Sequence, residues 1–172
     1  WRCRPKISIT IDKKPPCIEI KETESNSSDK DKIIQIRIKL VNNGKSIANH
    51  AVLNIDSYYE KRSKSDEYVK KEFTPQMMKD YRGSLPKIIA PHLTYYYDIA
   101  VVQKTDGMTT SDGVEKPKQL YRLFLLGDNK TTRLGKGTFV IPLKFYSAKT
   151  ETHIRYLKIY WESDDYSINT ID

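Results

Sequence analysis

Apolar and polar residues alternate one by one along much of this chain, and a period of two rules out most folds. Ile34, Ile36, Ile38 and Leu40 alternate with Gln35, Arg37 and Lys39. Leu157, Ile159 and Trp161 alternate with Tyr156, Lys158 and Tyr160, and Ile7, Ile9 and Ile11 with Ser8 and Thr10. Ala51, Leu53 and Ile55 form another such set, as do Tyr95, Tyr97, Ile99 and Val101, and Phe139, Ile141, Leu143 and Phe145. Successive side chains of a strand point to opposite faces, so each set gives one dry face and one wet face. The residues are β-branched and aromatic, which suits a pleated, half-buried surface. Short strands are also expected at 17–21, 86–90 and 119–126. Eight or nine strands separated by turns predict an all-β, antiparallel sandwich, one domain over residues 1–172, with long loop insertions.

The prolines fit this reading. Pro5 stands at a strand entry, Pro15-Pro16 between segments and Pro91 after a strand. Pro142 lies inside the expected strand 138–147, where it removes a ladder donor. That strand is therefore expected at an edge, bulged, or with position 142 turned outward. Residues 57–83 read as a hairpin of 58–62 and 67–73, followed by one helical turn starting at Thr74-Pro75. The stretches 22–31 and 104–118 are rich in Ser, Thr, Asp, Lys and Gly, carry no periodicity and read as mobile loops.

A chain of 172 residues with 38% hydrophobic and 30% charged residues can bury a core, and it has no apolar run long enough to span a membrane as a helix. It opens on Trp1-Arg2-Cys3-Arg4-Pro5-Lys6. An aromatic residue among bases fits the cytoplasmic edge of a membrane helix, and an arbitrary boundary fits as well. The first reading makes this the membrane-associated, soluble part of a longer protein.

Net charge is +8, and residues 116–155 hold nine Lys or Arg against Asp128 and Glu151. Residues 162–172 hold four acids and no base. A basic face can meet nucleic acid or anionic lipid, whereas lysines interleaved with core residues are commonly just a solvated surface. Cys3 and Cys17 lack metal-finger spacing, and either a disulfide or two free thiols is open. Asn26-Ser27-Ser28 and Asn129-Lys130-Thr131 match the glycosylation pattern, which matters only in a secretory context.

No motif carries chemistry. His50, His92 and His153 are isolated from one another, and no nucleophile-elbow pattern is present. Cys3, Cys17 and His50 could approach one another, but zinc needs four ligands, usually delivered in close pairs. Gly135-Lys136-Gly137-Thr138 contains Gly-Lys, yet a phosphate loop needs Gly where Lys130 stands and a helix where a strand follows. Asp164-Asp165 reads as a polar turn. The pair Tyr58-Tyr59 and triplet Tyr95-Tyr96-Tyr97 suit cross-strand packing and, where exposed, contact with proteins or single-stranded nucleic acid. No catalytic residue, metal or cofactor is expected.

Between two alternating stretches lies Val41-Asn42-Asn43-Gly44, followed by Lys45-Ser46-Ile47-Ala48. Gly44 can take a positive φ, Asn42 or Asn43 can bond the turn backbone, and Ala48 is small enough to sit where two sheets close. This Asn-x-Gly corner, with Arg4-Pro5-Lys6-Ile7 before it and Gly137-Thr138-Phe139 through Ser147 after it, resembles prokaryotic immunoglobulin-like domains of the cell-adhesion-related (CARDB) type. It is also similar to β-sandwich domains that follow N-terminal membrane helices. The resemblance implies an immunoglobulin-like sandwich and brings no catalytic residue. The stretches 57–83 and 104–118 depart from the compact adhesion type. The expected function is non-catalytic: an interaction or sensory domain contacting a protein partner through strand edges or the loops 57–83, 104–118 and 127–137. The alternative is a nucleic-acid or anionic-surface binder using residues 116–155.

Overall fold

Each alternating stretch forms a strand, and the strands pair into two antiparallel sheets facing each other across one core. The computed structural model describes residues 4–23, 31–62, 66–78, 88–111, 114–126, 131–148, 150–162 and 165–171. Thirteen strands form among these residues: β1 (Ile7–Thr10), β2 (Ile18–Thr23), β3 (Asp31–Asn42), β4 (Ala48–Asn49), β5 (Val52–Lys61), β6 (Val69–Met77), β7 (Ile88–Ile89), β8 (Thr94–Ser111), β9 (Val114–Leu125), β10 (Thr132–Leu134), β11 (Gly137–Ser147), β12 (Thr150–Glu162) and β13 (Asp165–Ile171). The first sheet has the order β1-β3-β8-β9-β10, with β2 also paired to β3. The second has the order β13-β12-β11-β5-β6, and β4 and β7 form a small ladder of their own. Among the described residues no helix is long and apolar enough to cross a membrane.

The dry faces meet as the period requires. Ile36, Ile38, Leu40, Tyr97 and Ile99 from the first sheet share one buried cluster with Leu53, Ile55, Phe139, Ile141, Leu143, Phe145, Leu157 and Ile159 from the second. Each such side chain contributes about 1.5–3 kcal/mol when fully buried. Tyr97 lies in this core, Tyr95 packs against it from the side, and Tyr96 is on the opposite face of β8.

Two expectations about local structure need correction. The turn expected at Thr74-Pro75 is not helical: these residues belong to β6, which lies at the sheet edge. Between Ile55↔Gln76 and Ser57↔Glu72 the register shifts, so Pro75 falls in a bulge of an edge strand, where its missing donor costs no ladder bond. The stretch 104–118, expected as a loop, is a two-stranded ribbon in which Lys104 to Ser111 pair with Val114 to Tyr121. The pairing of β3 with β8 runs from Val41↔Thr94 to Ile33↔Gln103, so the ribbon continues past it. Its ladder is formed between β8 and β9, and such pairing requires no alternation.

The Asn-x-Gly corner is a structural joint built differently from the sequence expectation. Asn42 is fully buried and all its polar capacity is used. Its Oδ1 accepts from Gly44 N (3.0 Å) and Lys6 N (3.2 Å), and its Nδ2 donates to Ser46 O (2.8 Å) and Ile89 O (3.1 Å). Gly44 does not take a positive φ; among described glycines only Gly137 does. Gly44 is required for space, since a Cβ there would lie 2.5 Å from Lys6 N and 2.6 Å from Arg4 O. Ala48 is fully buried and pairs with Ile89 at the end of the sandwich, as its size allows.

Candidate contact face

Pro142 sets the geometry of the second sheet. It lies in β11, the central strand, so the edge position is excluded and the bulge is what occurs. Pairing with β12 runs unbroken through Pro142↔Tyr156. On the other side the register steps from Val140↔Tyr59 to Lys144↔Asn54, leaving one extra residue in β5 opposite the missing donor. The extra residue changes which β5 side chains face inward. Leu53 and Ile55 point into the core before it, and Tyr58 after it, packed edge-on against Phe139 with ring centroids 6.1 Å apart. Tyr59 is thereby turned to the outer face.

That outer face can be built row by row from the registers. One row runs Lys70, Tyr59, Val140, Lys158 across β6, β5, β11 and β12. The next contains Pro142 and Tyr156, and the one after it Met77, Asn54, Lys144 and Ile154. Beyond it Tyr146 pairs with Val52. Tyr146, Ile154 and Tyr156 are 39%, 45% and 36% exposed, so three large side chains lie open on two adjacent central strands. Exposed aromatics in the middle of a sheet, away from its edges, have the composition of an interface core.

At the bulge Lys144 Nζ donates to Asp56 Oδ2 at 2.5 Å, and Ser57 Oγ donates to Asp56 Oδ1 at 3.0 Å. The Lys144 ammonium, helped by the Ser57 hydroxyl, holds the Asp56 carboxyl below the usual carboxylate range against the effect of burial. The same ion pair raises Lys144. A lysine held charged by a carboxylate cannot accept a proton near neutral pH, and a hydroxyl already donating to that carboxylate is not being deprotonated by the lysine. The trio fixes charge on the face; it is not arranged as a nucleophile and base.

A second polar cluster lies on the outer face of the first sheet. Arg37 is buried, with Nε donating to Asp98 (2.7 Å), Nη1 to Glu19 (2.6 Å) and to Pro16 O (3.1 Å), and Nη2 to Gln35 (2.5 Å). Its backbone N donates to Cys17 O. Its bonds to Pro16 O and Cys17 O tie the segment joining β1 to β2 onto β3; Cys17, at the end of that segment, is a free buried thiol whose pKa burial raises. A half-open hollow of about 260 Å³ at the β5–β6 hairpin is lined by Glu60, Arg62, Glu67, Val69 and Lys71. Its mixed charges favour no single ligand class.

The residues considered from sequence are dispersed. His50 and His92 occupy exposed positions with positive φ, while His153 lies in β12 beside Phe145. Among the described residues no group of three His, Cys, Asp or Glu could hold a metal. Cys3, Asn26-Ser27-Ser28, Asn129-Lys130 and Asp164 lie outside the described residues; Asp165 opens β13 opposite Glu162. Gly135-Lys136 connects β10 to β11, and Gly137 takes φ 145° where a Cβ would lie 2.4 Å from Lys61 O. The basic stretch 116–155 is divided between two sheets, β9 and β10 belonging to the first and β11 and β12 to the second. The open tyrosines were not singled out from sequence. Their signal was there: Tyr156 and Tyr160 take the wet positions of their strand, where charged residues are the usual occupants.

Comparison with known protein families, with curated proteins and with solved structures finds no match to this chain.

Proposed function

We propose that this protein is a non-catalytic interaction domain with an immunoglobulin-like sandwich, and that it contacts a protein partner through the open face of the β11 sheet. The observation that carries the reading is the exposure of Tyr146, Ile154 and Tyr156 side by side on β11 and β12. Immunoglobulin-like order is supported by β1-β3-β8 in one sheet against β12-β11-β5-β6 in the other. One departure is that the strand beside β8 follows it in sequence, as β9, where the immunoglobulin order has a strand that precedes it. The dispersal of the three histidines and the ion-paired state of Lys144 support contact over chemistry.

The reading is tested by placing a photo-crosslinking amino acid at position 156 and, as control, at exposed position 20 on β2, in the source cell. A discrete adduct with one identified protein from position 156, absent from position 20, is expected. No adduct at 156, or the same adducts from both positions, overturns it.

A second reading, binding of anionic surfaces, rests on β9 and β10, where Arg133 pairs with Phe124 and Arg122 precedes it by two residues on the same face. Counterion release would make such binding steeply salt-dependent. Retention on heparin that persists at low salt and is lost in Arg122→Glu/Arg133→Glu is its expected result; no retention at low salt removes it.

A further inference from the structure

The outer face of the β11 sheet also carries information about what would cover it, and this inference rests on the contact reading above. Among its described side chains, Lys61, Lys70, Lys144 and Lys158 stand against Asp56, Asp66 and Glu72, with Lys61 paired to Asp66, Lys70 to Glu72 and Lys144 to Asp56. The lysines are not clustered. Lys70 and Lys158 share one row, three strand spacings or about 14 Å apart, with Tyr59 and Val140 between them. Tyr156 and Tyr146 continue the apolar strip along β11 and β12. The pattern is an apolar centre with cations on both sides, and its electrostatic complement is an apolar centre with anions on both sides.

A polyanion is a poorer complement. Nucleic acid or a lipid surface presents evenly spaced negative charge, whereas this face places the Asp56 carboxylate on Lys144, Glu72 on Lys70 and Asp66 on Lys61. Those carboxylates would oppose a continuous line of phosphates but leave room for isolated acidic side chains.

We propose that the face takes an acidic protein segment, with an apolar or aromatic side chain on Tyr146, Ile154 and Tyr156 and carboxylates directed to Lys158 and Lys70. The probes are a random glutamate–tyrosine copolymer, poly-glutamate and a thymidine oligonucleotide, each titrated into isotope-labelled protein and followed by NMR. The copolymer is expected to bind most tightly, to shift backbone signals of β5, β11 and β12, and to weaken as salt is raised. Lys70→Glu with Lys158→Glu should weaken it by roughly tenfold or more, as should Tyr156→Ser. These side chains are on the surface, and circular dichroism verifies that each variant keeps the fold. Absence of copolymer binding, binding unchanged by the double lysine reversal, or tighter oligonucleotide binding at the same face overturns the proposal. If the copolymer fails while the crosslink from position 156 still forms, the acidic chemistry falls and the contact reading stands. If both fail, both fall.

Discussion

Asn42 Nδ2 donates to the carbonyl of Ile89, 47 residues further along the chain, at 3.1 Å. Through this bond and its partners at Lys6, Gly44 and Ser46, one amide side chain ties the first strand, the corner and β7 together. Asn42→Ala would leave several buried backbone groups unpaired, and about 3 kcal/mol of stability should be lost. Asn42→Asp keeps the acceptor but cannot donate to Ser46 and Ile89, so it should be nearly as damaging. Urea unfolding monitored by tryptophan fluorescence measures both; a loss below 1 kcal/mol for the alanine variant, on the same scale, would contradict this role.

Gly44→Ala tests the close approach of backbone at the same corner. Its Cβ would collide with main-chain atoms of Arg4, Pro5 and Lys6, none of which can rotate away. A cost of about 2 kcal/mol is expected. Gly135→Ala meets nothing within 4 Å and should leave the unfolding midpoint unchanged.

The Asp56–Lys144 pair makes stability depend on pH at both ends of the range. Asp56 has a lowered pKa in the folded state, so the unfolded chain binds more protons there and stability falls as acid protonates it. That contribution is fully present above the unfolded carboxylate value and is lost as pH drops through the folded one. Lys144 has a raised pKa, so its contribution holds below the unfolded lysine value and is lost as pH rises through the folded one. With both side chains partly solvated, the pair should contribute roughly 0.5–1 kcal/mol. A double-mutant cycle with Asp56→Asn and Lys144→Met should show coupling at pH 7 that declines as pH is lowered and Asp56 takes up its proton.

Arg37→Met should cost about 1–2 kcal/mol, because it removes the charged hydrogen bonds that Asp98 and Glu19 share while leaving both carboxylates partly solvated. It should also loosen the segment that carries Cys17, which Arg37 holds through Pro16 O. The rate of modification by a thiol reagent is therefore expected to rise well above wild type under native conditions. A destabilised variant whose Cys17 remains as slow to react as in wild type would separate the cluster from the burial of Cys17.

Period-two alternation placed the long strands around the core, because a half-buried strand must write its burial into every second residue; β13, which extends the second sheet beside β12, was not among the strands expected. It also placed Tyr95 and Tyr97 on the face opposite Tyr96. The strands β4 and β10, with two and three residues, were too short for alternation to mark, while β7 falls within the strand expected at 86–90. Residues 104–118 were missed for a different reason: their ladder is formed with a hairpin partner and leaves no amphipathic trace.

By itself, the sequence determined an all-β chain with wet and dry faces, and marked the corner at Asn42 to Gly44 and the irregularity at Pro142. It could not decide what these marks were for. Only tertiary structure put the Arg4–Lys6 backbone against Gly44, so that space and not φ explains the glycine. Only the pairing of β11 with β5 put a bulge opposite Pro142 and turned Tyr59 outward beside Val140. The basic stretch 116–155, contiguous in sequence, was divided between two sheets, while Lys70 and Lys158, 88 positions apart, came to share one row. Alternation is a local property of a strand; which strands lie side by side is fixed by long-range pairing, and a surface is made of neighbours across strands.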